Sequence, residues 1–256
     1  MVNILTIPFF DKNIPAAISM VLHESTIKSV GQNRCISATG AHGLIEAHKN
    51  PSFKTTLDQF WLNLPDGMPT VWVGRLKGAK EMKRCYGPDF FMETIKASSK
   101  LPIKHFFCGG KQGIAEQLRS NCAVRFGNNQ VVGTFSPPFR EMSDQEMAEL
   151  AATINQSGAS IVWIGLSTPK QEQFALRLAQ FTQTKFIITV GAAFDFHTDQ
   201  LKQAPKWMQK SGLEWFFRVL MEPKRLFMRY FEIVPQFIWL NIKEFVDFCI
   251  LKRKDS

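Results

Sequence analysis

The sequence predicts an α/β domain with a parallel sheet covered by helices on both faces, followed by a helical C-terminal appendage. Three observations carry this prediction. Residues 103–196 alternate short apolar runs with segments of helical spacing. The helical segments between the runs open with recognisable capping residues. Beyond residue 200 the pattern is helical throughout. Strands and helices alternating at this spacing form a parallel sheet with helices on its faces.

In chain order, residues 13–28 read as a helix. Cys35-Ile36-Ser37-Ala38 is a short strand that ends at Thr39-Gly40, and another helix begins within 44–49. Leu64-Pro65-Asp66-Gly67-Met68-Pro69 places a carboxylate on a sharp turn after a helix-like run. There Pro65 presets φ, Gly67 allows angles other residues avoid, and Pro69 starts the next element. Ile103 to Cys108 is a strand leading into Gly109-Gly110, with a helix over 112–121 and a second strand over 130–133. Ser143 and Glu146 form a capping box, behind which Met147, Leu150, Ala151 and Ile154 keep helical spacing. Ile161 to Leu166 is a buried strand. Thr168-Pro169-Lys170-Gln171 opens the next helix, with Thr168 as N-cap and Gln171 closing a second box. Residues 186–190 form a strand ending in Gly191-Ala192-Ala193. Helices over 213–221 and 224–231 are separated by Glu222-Pro223, and a last segment, 235–251, places Ile238, Ile242, Phe245 and Cys249 on one apolar face.

With 256 residues and 45% hydrophobic content, the chain can bury one large domain plus an appendage, divided here as 1–200 and 201–256. The net charge of +9 fits an anionic partner: nucleic acid, a phosphorylated substrate or an anionic membrane. Residues 201–256 carry 11 Lys and Arg against 6 Asp and Glu, so the excess concentrates in the appendage. Five scattered cysteines, with no CxxC and no Cys/His ligand spacing, argue against zinc and a disulfide framework and fit a reducing cytoplasm. No secretory signal and no apolar run of spanning length is expected.

The chemistry gathers at the carboxyl ends of the strands, the edge that holds ligands in open α/β sheets. Thr39-Gly40, Gly109-Gly110, Leu166 to Pro169 and Gly191 to Ala193 all fall there. The Gly109-Gly110-Lys111-Gln112-Gly113 turn lets backbone approach a phosphate but matches neither the dinucleotide fingerprint nor the Walker loop. Asp66, held between stiff neighbours, suits a general base. Gln171 and Glu172 lie in the first turn of their helix, where capping alone also explains them. Asp195, flanked by aromatics, can receive ribose hydroxyls or cap a turn, and His197 reads as structural. There is no Asp-x-Asp pair and no nucleophile elbow. Arg218, Arg225 and Arg229, with Lys224, sit among large aromatic and aliphatic side chains, a composition suited to phosphate and to a bilayer surface as well as to an amphipathic helix packed on a core.

Taken together, these residues resemble the WecG/TagA/CpsF glycosyltransferase family. The matching pieces are Pro65-Asp66-Gly67-Met68-Pro69, Arg84-Cys85-Tyr86-Gly87-Pro88-Asp89, Phe107-Cys108-Gly109-Gly110 and Gly165 to Glu172. Gly191 to Asp195, Ala204-Pro205-Lys206-Trp207, Gly212 to Arg218 and Glu222 to Leu226 complete the set, in family order. The resemblance implies a Rossmann-like parallel sheet of the GT-E type with helices on both faces. It implies transfer of a sugar from a UDP-sugar donor to a polyprenyl-diphosphate-linked acceptor, with inversion and with neither metal nor cofactor, by a protein peripheral on the inner face of the cell membrane. Asp66 would then be the base that deprotonates the acceptor hydroxyl, and Arg84 would stabilise the diphosphate leaving group. Thr39, Gly109, Gly110, Gln171 and Asp195 would line the donor-nucleotide site. Arg218, Arg225 and Arg229 would grip the lipid diphosphate. A homo-oligomer is compatible with all of this.

Two departures from the family pattern stand out. The family's Thr-x-Asn loop reads Ser37-Ala38-Thr39-Gly40-Ala41-His42 here, which leaves Thr39 and His42 as candidates to replace the Asn, and the Arg before Ala-Pro is Gln203. Met68-Pro69 and the Pro137-Pro138-Phe139 loop resemble the exopolysaccharide branch, so the donor sugar stays open. Two other function classes fit parts of the pattern. A catalytically inactive nucleotide-binding membrane adaptor conflicts with the intact Asp66 and Arg84, and a nucleic-acid-binding protein lacks any recognised motif.

Overall fold

The structure, a computed structural model, describes residues 1–27 and 33–254, with side chains described as far as Asp247 in the last helix. Lys28, the expected end of the first helix, and the Cys249 side chain lie outside the described residues. The chain opens with an antiparallel hairpin, β1 (Val2–Ile4) and β2 (Ile7–Phe9). There follow α1 (Ile14–Thr26), β3 (Arg34–Thr39), α2 (Ala41–Lys49), α3 (Pro51–Asp58), β4 (Leu62–Pro65), α4 (Met68–Leu76), α5 (Gly87–Ser98), β5 (His105–Gly109), α6 (Ile114–Phe126) and β6 (Val131–Phe135). The second half holds α7 (Asp144–Ser157), β7 (Ile161–Gly165), α8 (Lys170–Ala179), β8 (Phe186–Thr189), the short helices α9 (Ala193–His197) and α10 (Lys206–Lys210), then α11 (Glu214–Met221) and α12 (Pro223–Lys254).

The predicted α/β class holds. Six strands form one sheet in the order β4-β3-β8-β7-β5-β6, every pairing parallel. Strand side chains alternate between faces, so each strand feeds two cores. Ile161 and Trp163 of β7 pack with α1, α5 and α6, whereas Val162 and Ile164 pack with α7 and α8. A third core joins the hairpin to α2, α3 and α4, and Ile233, Phe237 and Leu240 of α12 complete it. The appendage therefore shares a hydrophobic interior with the N-terminal half of the chain.

Several expectations need correction. The first hairpin and β4 were not foreseen. β4 is only 4 residues long and ends in Pro65, so Asp66 follows a strand rather than a helix. Gly67 sits in ordinary extended backbone (φ −110°, ψ 149°), so it is not there for an unusual angle. Thr168 does not cap α8, and Gln171 closes no capping box: Pro169 precedes the helix, and both side chains turn inward to Glu172. Pro235 does not break the last helix, which runs through it as one element of 32 residues. An interior Pro costs about 3 kcal/mol, but Leu226 and Ile233 before it and Phe237 and Leu240 after it are all buried, and that packing holds both sides together. The apolar face of the last segment is exposed, with Ile238, Ile242 and Phe245 at 53%, 58% and 51%, while the core takes the stripe 233/237/240.

Candidate functional site

Because all six strands run the same way, the ends of β3, β4, β5, β7 and β8 share one edge. Two of them, with the start of α5, pin the candidate base. The Asp66 backbone N–H donates to the Thr39 carbonyl (3.0 Å), and the Cys85 N–H donates to the Pro65 carbonyl (2.8 Å). Gly87, the first residue of α5, donates its N–H to Asp66 Oδ1 at 2.7 Å. A side chain at Gly87 would meet the Val190 carbonyl at 2.9 Å, so only glycine lets this helix start approach the sheet edge. Among the described residues no hydrogen bond reaches Oδ2, which leaves that oxygen for an incoming proton.

Burial pushes the Asp66 carboxyl up to about 6, against the opposing pull of the Arg84 guanidinium and the Gly87 N–H. Arg84 is itself tightly placed. Its Nε donates to the Asp66 carbonyl oxygen (2.5 Å), its face lies 3.9 Å from the Tyr86 ring centroid, and its Nη2 pairs with Glu214 at the start of α11. The Tyr86 hydroxyl is buried with no partner. Asp66 and Arg84 are thus neighbours, and α11 closes over them.

The three appendage arginines all lie within electrostatic reach of Glu222 but differ in exposure and pairing. Arg218 and Arg229 are half-buried and lie within electrostatic reach of His42, whose imidazole is held neutral: burial first, then these arginines, drive it down to about 4. Arg218 also faces Asp66. Arg225 is exposed and engaged through Nε and Nη2 by Glu222, both at 2.7 Å. Of the two candidates for the family's missing Asn, His42 faces the arginines, while Thr39 is 2% exposed with its hydroxyl buried and unpartnered under Gly43.

On the other side of the edge, Gly109 and Gly110 have φ of +147° and +72°. A Cβ on Gly109 would strike the Gly165 carbonyl at 2.5 Å, so β5 and β7 end in contact. Asp195 on α9 is half-buried. Burial raises its carboxyl, while Lys111 of the glycine turn and, more weakly, Arg218 and Arg225 pull the other way. Lys111, Asp195, Arg218 and Arg225 therefore enclose one charged region. Gln171 is 1% exposed and spends both ends of its amide inside the protein. Its Nε2 donates to Glu172 Oε1 (2.8 Å) and Thr168 Oγ1 (3.2 Å), and its Oε1 accepts from the Gly191 N–H (3.0 Å). It reaches the site through the Gly191 turn. His197 is structural, its Nε2 donating to the Pro88 carbonyl at 2.8 Å.

Sequence reasoning missed three residues here. Glu214 and Lys111 meet their partners only through the fold, and nothing local to them announces it. Glu172 is fully buried. Ser37, Thr168 and Gln171 all donate to its Oε1 while Oε2 has no partner, and burial pushes its carboxyl up to about 7. Among the described residues no group of three His, Cys, Asp or Glu side chains is arranged to hold a metal ion.

Residues 2–248 match the glycosyl transferase WecG/TagA/CpsF family. An N-acetylglucosaminyldiphosphoundecaprenol N-acetyl-beta-D-mannosaminyltransferase of Bacillus subtilis (strain 168) is 25% identical over 223 residues, covering 87% of this chain and 84% of the relative. The chain belongs to the WecG/TagA/CpsF glycosyltransferase family.

Proposed function

We propose that this glycosyltransferase moves a sugar from a UDP-sugar to a hydroxyl of a polyprenyl-diphosphate-linked saccharide, with inversion and without a metal ion. The observation that carries the reading is Asp66. It is a carboxylate at the sheet edge with one oxygen fixed by Gly87, the other unpaired, a proton affinity raised toward neutrality, and Arg84 and Arg218 beside it. Ionised Asp66 takes the proton of the acceptor hydroxyl as that oxygen bonds to the anomeric carbon. The bond from that carbon to the UDP oxygen breaks, and UDP departs with the electron pair. Arg84, and Arg218 with it, offset the charge that grows on the diphosphate, the role a divalent ion plays elsewhere.

The donor nucleotide lies along Gly109, Gly110, Lys111 and Asp195, with Gln171 and Thr39 supporting the loops from behind. The acceptor diphosphate enters from the α11–α12 side, where Arg218, Arg229 and, on release from Glu222, Arg225 can bind it. The relative's named acceptor, a diphosphoundecaprenol-linked N-acetylglucosamine, is the first acceptor to try. The protein works on such a lipid while peripheral to the membrane. No described helix is long and apolar enough to cross one, and the exposed face of α12 is where a bilayer surface would meet it. The test is mass spectrometry of the lipid-linked acceptor after incubation with a panel of UDP-sugars. A mass gain of one sugar with matching UDP release supports the reading; hydrolysis of the donor alone, or no UDP from any donor, contradicts it.

A further inference from the structure

Arg84 is asked to bind a diphosphate, yet its fork is already engaged. Its Nη2 is paired with Glu214, and the two side chains are only 15% and 14% exposed. The arginine cannot turn to serve both, because its Nε is held on the Asp66 carbonyl and its face on Tyr86. A carboxylate and a diphosphate are both acceptor-only anions that fit the same guanidinium edge, and two such anions side by side in a poorly solvated site repel. Glu214 makes no other ion pair among the described residues. One turn along α11 stands Arg218, half-buried, in no ion pair among the described residues, and close enough to Asp66 to lower its proton affinity. A Glu placed four residues before an Arg on a helix is the favourable order for a pair.

We propose that Glu214 is a positioning residue for donor binding: it holds the Arg84 fork, and the donor's diphosphate takes the fork by displacing Glu214 toward Arg218. This rests on the donor-site reading above. The measured affinity for donor is then the intrinsic affinity less the free energy of opening the Arg84–Glu214 pair. Donor binding also reaches α11 directly, through Glu214, and so couples the nucleotide to the helices that meet the acceptor.

The test is a double-mutant cycle on UDP affinity, measured by calorimetry on full-length protein, with circular dichroism to verify that each variant is folded. The expected result is that Glu214→Gln tightens UDP by about 5- to 10-fold, within the usual range of such couplings. Arg84→Met weakens UDP, and in the Arg84→Met background the Glu214→Gln gain disappears. An unchanged or weaker affinity in Glu214→Gln, or an equal gain with and without Arg84, overturns the proposal. If wild type binds UDP and Arg84→Met weakens it while Glu214→Gln is neutral, the donor site stands and only the displacement is wrong. If wild type shows no UDP binding at about 1 mM ligand, a generous concentration for a nucleotide site, the donor-site reading fails and this inference with it.

Discussion

The proposed base role of Asp66 near neutral pH rests on burial and cationic neighbours pulling its proton affinity in opposite directions. Without Arg84 and the Gly87 N–H, burial would keep it protonated; without burial it would be too weak a base to take a hydroxyl proton. In the proposed reaction the ionised form is the active one, so kcat/KM should fall as pH drops through about 6, and a rate–pH profile on saturating acceptor checks it. A second buried carboxyl makes a different prediction. Glu172 has its pKa raised by burial to about 7, so the fold holds a proton that the unfolded chain releases above its ordinary value of 4.5. The stabilisation linked to that proton is complete below 4.5 and lost as pH rises through 7, an effect of at most about 3 kcal/mol. Thermal unfolding between pH 5 and 8 should show wild type losing stability with rising pH more steeply than Glu172→Gln, which has no proton to lose; parallel slopes would mean Glu172 is ionised throughout. Asp66 and Arg84 were legible in the sequence because each sits in a distinctive run of neighbours. Glu172 was seen only as a helix-start residue, since the hydroxyls that converge on it come from β3 and the β7–α8 loop, far apart in the chain.

At the scale of elements, α12 is two helices in one. Its inner stripe of Ile233, Phe237 and Leu240 belongs to the core, while its outer stripe, with Phe227, Phe231, Trp239 and Ile242, is more than half exposed. The sequence showed that the segment was apolar and basic. It did not show which apolar stripe would be buried, because that depends on the angle at which α2 and the hairpin receive the helix. The two stripes should separate in experiment. Replacing Phe231 and Trp239 with Ser should weaken binding to vesicles containing anionic lipid at low salt while leaving the melting temperature near wild type. Phe237→Ala should instead cost about 3–5 kcal/mol of stability, as truncation of a buried aromatic does. Vesicle binding unchanged by the outer pair would remove the bilayer from the role of that face. Elsewhere, the start of α7 was read correctly, where the Ser143–Glu146 box is present in both directions. β4 escaped because 4 residues ending in Pro carry no usable periodicity, and its buried Asn63, which donates to the Pro8 and Leu57 carbonyls, reads as polar until the fold supplies those partners.

For the whole molecule, the parallel sheet sets the site. It brings five strand ends to one edge, and α11 and α12 fold back to complete that edge with Glu214, Arg218 and Arg229. The same closure joins the appendage to the third core, so deleting residues 213–256 should uncover the α2 side of that core and lower the melting temperature, rather than release an undisturbed catalytic domain. With arginines carrying the leaving-group charge, turnover should persist in EDTA; loss of activity that manganese or magnesium restores would place a metal where Arg84 and Arg218 are assigned. The central claim is that this edge transfers a sugar with Asp66 as its base. The most direct measurement is UDP release with lipid-linked acceptor by Asp66→Asn beside wild type, with UDP affinity measured on both. The account predicts turnover lower by about 10²-fold or more with UDP affinity retained, since general-base catalysis is worth about 10²–10⁴. Near-normal turnover by a folded Asp66→Asn protein would contradict it.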